Sequence, residues 1–109
     1  MLVVKVTKVN DSRCLNLEGE LDMETLAMVE QATEARDGEC QLIINLAGVS
    51  FIDSTGLRGL LTIQRRWLAQ GGTVYLINPS LEVAEVFHLV GLEELLQVTT
   101  AEMVKAGED

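Results

Sequence analysis

Gln41-Leu42-Ile43-Ile44-Asn45-Leu46-Ala47-Gly48-Val49-Ser50-Phe51-Ile52-Asp53-Ser54-Thr55-Gly56-Leu57 is the stretch that decides the fold. It opens as a continuous apolar run, which suits a strand buried on both faces. After Leu46 it turns, becoming acidic and hydroxyl-rich, and from Leu57 onward the apolar spacing is helical. Ser54 and Thr55 therefore stand where a sheet end meets a helix N-terminus. Such a place is exposed, rigidly held and favourable to negative charge. Position alone makes Ser54 the helix cap, its hydroxyl accepting a backbone N–H. Asp53 reads either as a second cap or as a group that orients Ser54.

On the N-terminal side, residues 2–9 are rich in Val and alternate in part, so they read as a strand. Asn10-Asp11-Ser12 is a turn, and residues 13–17 form an antiparallel partner strand. Glu18-Gly19-Glu20 is expected to leave the sheet, with Gly19 serving the turn. Asp22 then caps a helix over residues 23–36, whose inward stripe is Leu26, Val29 and Thr33 and which Asp37-Gly38 ends. On the C-terminal side, Leu57, Leu60, Leu61, Gln64 and Leu68 mark the inward face of a second helix, widened by Ile63 and Trp67 and stopped at Gly71-Gly72. Residues 73–77 form a strand. Ser80 caps a third helix with Val83, Val86, Phe87 and Val90 inward, closed by Gly91. A short strand over 95–98, a short helix over 100–106 and a frayed tail over 107–109 complete the pattern.

Strands separated by helices imply parallel pairing through crossovers. The expected fold is one α/β domain over 1–109: a mixed sheet of four to five strands, with an antiparallel N-terminal pair and about four helices.

The chain of 109 residues is 48% hydrophobic but only 4% aromatic, so aliphatic side chains must fill the core. Lys and Arg number 8 against 17 Asp and Glu, a net charge of −9. That balance argues against a nucleic-acid surface, which needs clustered cations, and against an anionic membrane. No apolar run approaches the roughly 20 residues of a membrane span, and Met1-Leu2-Val3-Val4-Lys5-Val6 lacks the features of a signal peptide. A cytoplasmic protein without membrane insertion is expected. Cys14 and Cys40 lack disulfide or metal-ligand spacing and read as small buried hydrophobes.

Catalytic patterns are incomplete. Gly56, Gly59, Gly71 and Gly72 form neither a phosphate loop nor a dinucleotide fingerprint. A hydrolase elbow needs Gly two residues on each side of the Ser; Gly56 fits, but Ile52 occupies the other place. His88 is the single histidine and reads as a partly exposed helix residue. A phosphorylated Asp of the receiver type needs a Lys on a following strand, and no Lys occurs between Lys8 and Lys105. No catalysis, cofactor or metal is expected.

Three pieces in order carry a resemblance to a known family: Leu17-Glu18-Gly19-Glu20-Leu21-Asp22, the run from Asn45 to Leu57, and Gly71-Gly72 followed by a strand, Val86-Phe87 and Gly91-Leu92. Together they resemble the STAS family, the domain shared by sulfate transporters and anti-sigma factor antagonists. In STAS antagonists the Ser directly after the Asp is the phosphoacceptor, which implies Ser54, with Thr55 as a secondary site. The resemblance places partner contacts at Glu20, Asp22, Asp53, Ser54, Thr55, Gly56 and Arg58. It implies an anti-sigma factor with serine kinase activity as partner, a serine phosphatase, and a monomer or weak dimer. The family often has Gly or a small residue where Arg58 stands, and a cation in a first helical turn is opposed by the dipole. A STAS subunit of a transporter or lipid-trafficking complex, a stressosome-type scaffold domain and a small nucleotide hydrolase are the alternatives.

Overall fold

A computed structural model describes residues 1–91 and the backbone of Val98 and Thr99. The chain opens with strands β1 (Leu2–Val9) and β2 (Ser12–Leu21), joined at Asn10-Asp11. Asn10 adopts a φ of 57°, a left-handed conformation that Asn tolerates and that tight hairpins require. Helix α1 (Leu26–Ala32), strand β3 (Gln41–Ile52), helix α2 (Ser54–Ala69), strand β4 (Thr73–Ile77), helix α3 (Leu81–Val90) and strand β5 (Val98–Thr99) follow. The sheet order is β1-β2-β3-β4-β5. The first pair is antiparallel and every later pair parallel. The mixed sheet with its antiparallel N-terminal pair is the expected one. Three helices lie among the described residues. The expected helix over 100–106, the tail over 107–109 and residues 95–97 of the expected last strand fall outside the described residues.

Several boundaries differ from expectation for identifiable reasons. Glu18-Gly19-Glu20 does not leave the sheet. Glu18 pairs with both Val3 and Gly48, Gly19 with Leu2 and Val49, and Glu20 with Phe51. The charges of Glu18 and Glu20 suggest a loop, yet a strand end tolerates them because both side chains are exposed. Gly19 has a φ of 120°, and a side chain there would collide with the Met1 carbonyl. The strand predicted to end at Leu46 likewise continues to Ile52.

Helix α1 is shorter than its pattern. The Asp22 Oδ1 atom accepts the N–H groups of Glu24 and Thr25 at 2.9 and 3.1 Å, while the Thr25 hydroxyl donates to the Glu20 carbonyl at 2.8 Å. These bonds hold residues 22–25 in a turn, so Asp22 shapes the approach and Thr25 is the N-cap. At the other end the Trp67 indole N–H donates to the Thr33 carbonyl at 2.7 Å.

The core lies on one side of the sheet. Leu15, Leu17, Leu42, Ile44, Leu46, Val74 and Leu76 are buried against Val29, Leu57, Leu60, Ile63, Trp67, Val83 and Phe87. Alternate residues on the opposite face (Cys14, Asn16, Ile43, Asn45 and Tyr75) are half-buried. Strand β3 is thus not buried on both faces; its apolar run hides a period of two. Cys40 is exposed and Cys14 half-buried, so neither is the fully buried hydrophobe expected.

Helix α2 buries Gly56, Leu57, Gly59, Leu60, Ile63 and Trp67, with Gly59 set against Leu26 of α1. Leu68, expected inward, is 67% exposed, and Leu61 and Gln64 are only half-buried. Glycine decides the rotation. A Cβ on Gly56 would sit 2.5 Å from the Leu21 carbonyl oxygen, so the helix can approach this closely only with Gly turned to the sheet. Ser80 caps α3 as expected, accepting the Val83 N–H at 3.3 Å, and Gly91 closes it at a φ of 68°.

At the amino ends of β2 and β3 lies a charge that the sequence pattern did not announce. Arg13 is 1% exposed. Its Nε donates to Glu39 Oε2 at 3.0 Å, a second guanidinium nitrogen reaches Glu39 Oε1, and the third donates to the Ala32 carbonyl at 2.8 Å. The guanidinium lies over the Trp67 ring, 5.6 Å from its centroid, and Lys8 approaches Glu39 at 3.4 Å. Pairing at both carboxylate oxygens, a carbonyl and a ring is what makes a buried arginine tolerable.

Candidate functional site

The site is built at the carboxyl ends of the parallel strands, the usual place for ligand and partner contacts in open α/β sheets. Leu21 and Ile52 are the last paired residues of β2 and β3, and the Asp53 N–H donates to the Leu21 carbonyl at 3.3 Å. The chain therefore leaves both strands at one point, with Asp22 and Asp53 beginning adjacent loops. Glu20, immediately before, is exposed and lies 3.5 Å from the Met1 amine.

Asp53 is the N-cap of α2. Its backbone is extended, and its Oδ1 accepts the Gly56 N–H at 2.8 Å. The cap reading of Ser54 is thereby overturned. Ser54 is the first residue inside the helix, it is exposed, and its hydroxyl makes no hydrogen bond among the described residues. With the Asp53 carboxylate already capping the helix start, the Ser54 hydroxyl is not needed as the cap. Thr55 beside it is half-buried, and Arg58, one turn on, is exposed.

The seven residues read as a contact surface divide accordingly. Glu20, Asp22, Asp53, Ser54, Thr55 and Arg58 surround the start of α2 with some or all of their side chain accessible. Gly56 is buried against Leu21 and serves as the spacer that seats the helix. His88 sits exposed in the last turn of α3. Among the described residues, no group of three or more His, Cys, Asp or Glu is arranged to hold a metal ion. No helix of the described residues is long and apolar enough to cross a membrane. A cleft of about 310 Å³ between α1 and α2, lined by Glu30, Thr33, Ile63, Arg66, Trp67 and Gln70, lies toward the opposite end of α2 from Ser54.

Sequence reasoning missed one exposed aromatic at this end, Phe51, 49% exposed. The pairing jumps from Gly19 with Val49 to Glu20 with Phe51, leaving Ser50 as an extra residue. Such a bulge slips the alternation by one, so Val49 and Ile52 point inward while Ser50 and Phe51 point out. The Ser50 hydroxyl donates to the Gly19 carbonyl at 3.3 Å. Met23, 73% exposed in the loop after β2, is a second apolar group at this end of the sheet.

The STAS domain model matches this sequence over residues 3–106. The chain belongs to the STAS domain family. It is 34% identical over 83 residues to the anti-sigma-B factor antagonist of Staphylococcus aureus, covering 73% of this chain and 76% of that protein. Among solved structures, an anti-sigma factor antagonist from Mycobacterium paratuberculosis superposes with a TM-score of 0.84 at 25% identity, covering all of this STAS chain and 96% of that one. The antagonist SpoIIAA in its unphosphorylated form gives a TM-score of 0.76 at 26% identity over 94% of this chain and 92% of that one. Its phosphorylated form from Bacillus gives 0.67 at 25% identity over 98% and 100%.

Proposed function

We propose that this STAS domain is an anti-sigma factor antagonist. In its unphosphorylated form it binds an anti-sigma factor that is also an ATP-dependent serine kinase, and so frees a sigma factor. Transfer of the γ-phosphoryl group from ATP to the Ser54 oxygen ends the complex. The hydroxyl proton passes to a base of the kinase, ADP leaves, and a separate serine phosphatase restores the free hydroxyl.

The observation that carries this reading is the division of labour between Asp53 and Ser54. The cap bond belongs to Asp53, so Ser54 is exposed and uncommitted at the first helical position. A phosphoserine there brings close to two negative charges at pH 7. The helix N-terminus accommodates them locally, so the fold survives. Asp53, Asp22 and Glu20 already make this end acidic, and the added charge and bulk spoil the surface for a partner.

Intact mass and site mapping after incubation with ATP and each purified anti-sigma kinase of the host tests the proposal. One added phosphoryl group on Ser54 is the expected result. Modification by none of the kinases would contradict it and favour a permanently bound STAS subunit.

A further inference from the structure

The outer side of α2 bears a pattern that the core does not explain. Ser54, Arg58, Leu61, Arg65 and Leu68 follow one another at spacings of four, three, four and three residues, which places them on one stripe of a helix. Arg58, Arg65 and Leu68 are exposed and Leu61 is half-buried. Neither arginine has an ion pair among the described residues, whereas Arg66, on the flank, turns toward α1 and lies 3.8 Å from Glu30. The charge is segregated as well. The chain holds 17 acidic residues, yet none lies between Ser54 and Leu81. Acid gathers instead across the site at Glu20, Asp22, Glu24 and Asp53.

We infer that the docking surface extends from Ser54 along this stripe to Leu68 and takes a protein partner that sets carboxylates opposite Arg58 and Arg65 and an apolar side chain opposite Leu68. This inference rests on the reading of Ser54 as the switch residue. From Ser54 to Leu68 the stripe runs about 21 Å at the helical rise of 1.5 Å per residue, a length that fits within one side of a standard interface. Complementary charge sets register and partner choice, and an acidic partner strip is the chemistry that a cationic stripe selects from a chain otherwise strongly negative. The stripe also gives the switch a second lever. A phosphate on Ser54 lies one turn from Arg58, the spacing of an i,i+4 ion pair, and so competes with the partner's carboxylate for that guanidinium.

The test uses the purified anti-sigma kinases of the host and compares kcat/KM for Ser54 phosphorylation of the wild type, Arg65→Glu, Arg65→Lys and Leu68→Ser, with circular dichroism confirming the fold. Arg65→Glu is expected to lower kcat/KM about tenfold through KM with little change in kcat, Arg65→Lys to restore most of it, and raised salt to narrow the gap. Leu68→Ser is expected to raise KM by about threefold. Wild type phosphorylated on Ser54 with Arg65→Glu equal to it overturns the stripe alone. Wild type phosphorylated elsewhere, or not at all, overturns the reading of Ser54 and the stripe with it.

Discussion

The two ends of the parallel strands treat polar groups in opposite ways. At the amino ends a full ion pair is buried: Arg13 and Glu39 close on each other under Lys8, against Trp67 and the Ala32 carbonyl. All three guanidinium nitrogens of Arg13 are engaged, tying α1 and the segment before β3 to the sheet. At the carboxyl ends the polar groups are spread over an open surface. Two carboxylates, Asp22 and Asp53, serve the fold by accepting backbone N–H groups, while the adjacent hydroxyl of Ser54 makes no hydrogen bond among the described residues. A residue proposed to be modified and read by a partner must be separable from stability, and here the polar bonds that serve the fold at this end fall to its neighbours Asp53, Asp22, Thr25 and Ser50.

That contrast predicts a graded series. Glu39→Ala leaves a buried guanidinium without its counter-ion and is expected to cost about 3 kcal/mol, measured by urea denaturation. Replacing the pair together, Arg13→Met with Glu39→Leu, is expected to recover most of the loss. Phosphorylation of Ser54 in the folded protein should be unchanged in either variant. The hydrogen bonds from Arg13, together with its charge and that of Lys8, hold the Glu39 carboxyl below its ordinary value. A depressed folded-state pKa means stability that is complete above the ordinary carboxylate range and is lost as pH falls through the lower folded value. The wild type should therefore lose stability more steeply than Glu39→Gln on acidification below about pH 4.5.

Smaller effects are expected at the other end. Ser54→Asp should keep its thermal stability but weaken partner binding by about 100-fold, read by calorimetry, since like charges facing across an interface cost several kcal/mol. Gly56→Ala gains helix propensity but forces a methyl against the Leu21 carbonyl. A net loss of about 1–2 kcal/mol is expected, together with slower Ser54 phosphorylation because the helix start is displaced. Asp53→Ala should cost about 1 kcal/mol as a lost cap, and Ser54→Ala under about 0.5 kcal/mol. Equal losses in these last two variants would contradict the division of labour between them.

How much of this was readable beforehand follows from the physics of each element. Among the described residues, the order of strands and helices, the hairpin, the Ser80 cap and the place of Ser54 at a helix start all rest on local signals, and they hold. The failures arise where a tertiary contact overrides a local pattern. The apolar side chains of α2, from Ile63 and Trp67 round to Leu61 and Leu68, cover an arc of about 160° at 3.6 residues per turn, so periodicity admits more than one rotation, and the close approach of Gly56 to Leu21 selects one. That choice puts Leu68 outside. The Glu18-Gly19-Glu20 segment looks like a loop by composition, but two neighbouring strands claim its backbone. Phe51 faces out because of a bulge, which apolar spacing alone does not reveal. Arg13 is invisible as a buried charge because its partner Glu39 lies 26 residues away.

The central claim is that one phosphoryl group on Ser54 changes binding and not folding. The most direct test is to titrate the kinase that modifies the chain, without ATP, against the unphosphorylated and the Ser54-phosphorylated protein, with thermal melts of both. The account predicts tight binding of the first, a loss of about 100-fold or more for the second, and melting temperatures within a few degrees of each other. Equal affinities, or a phosphorylated form that unfolds, would contradict it.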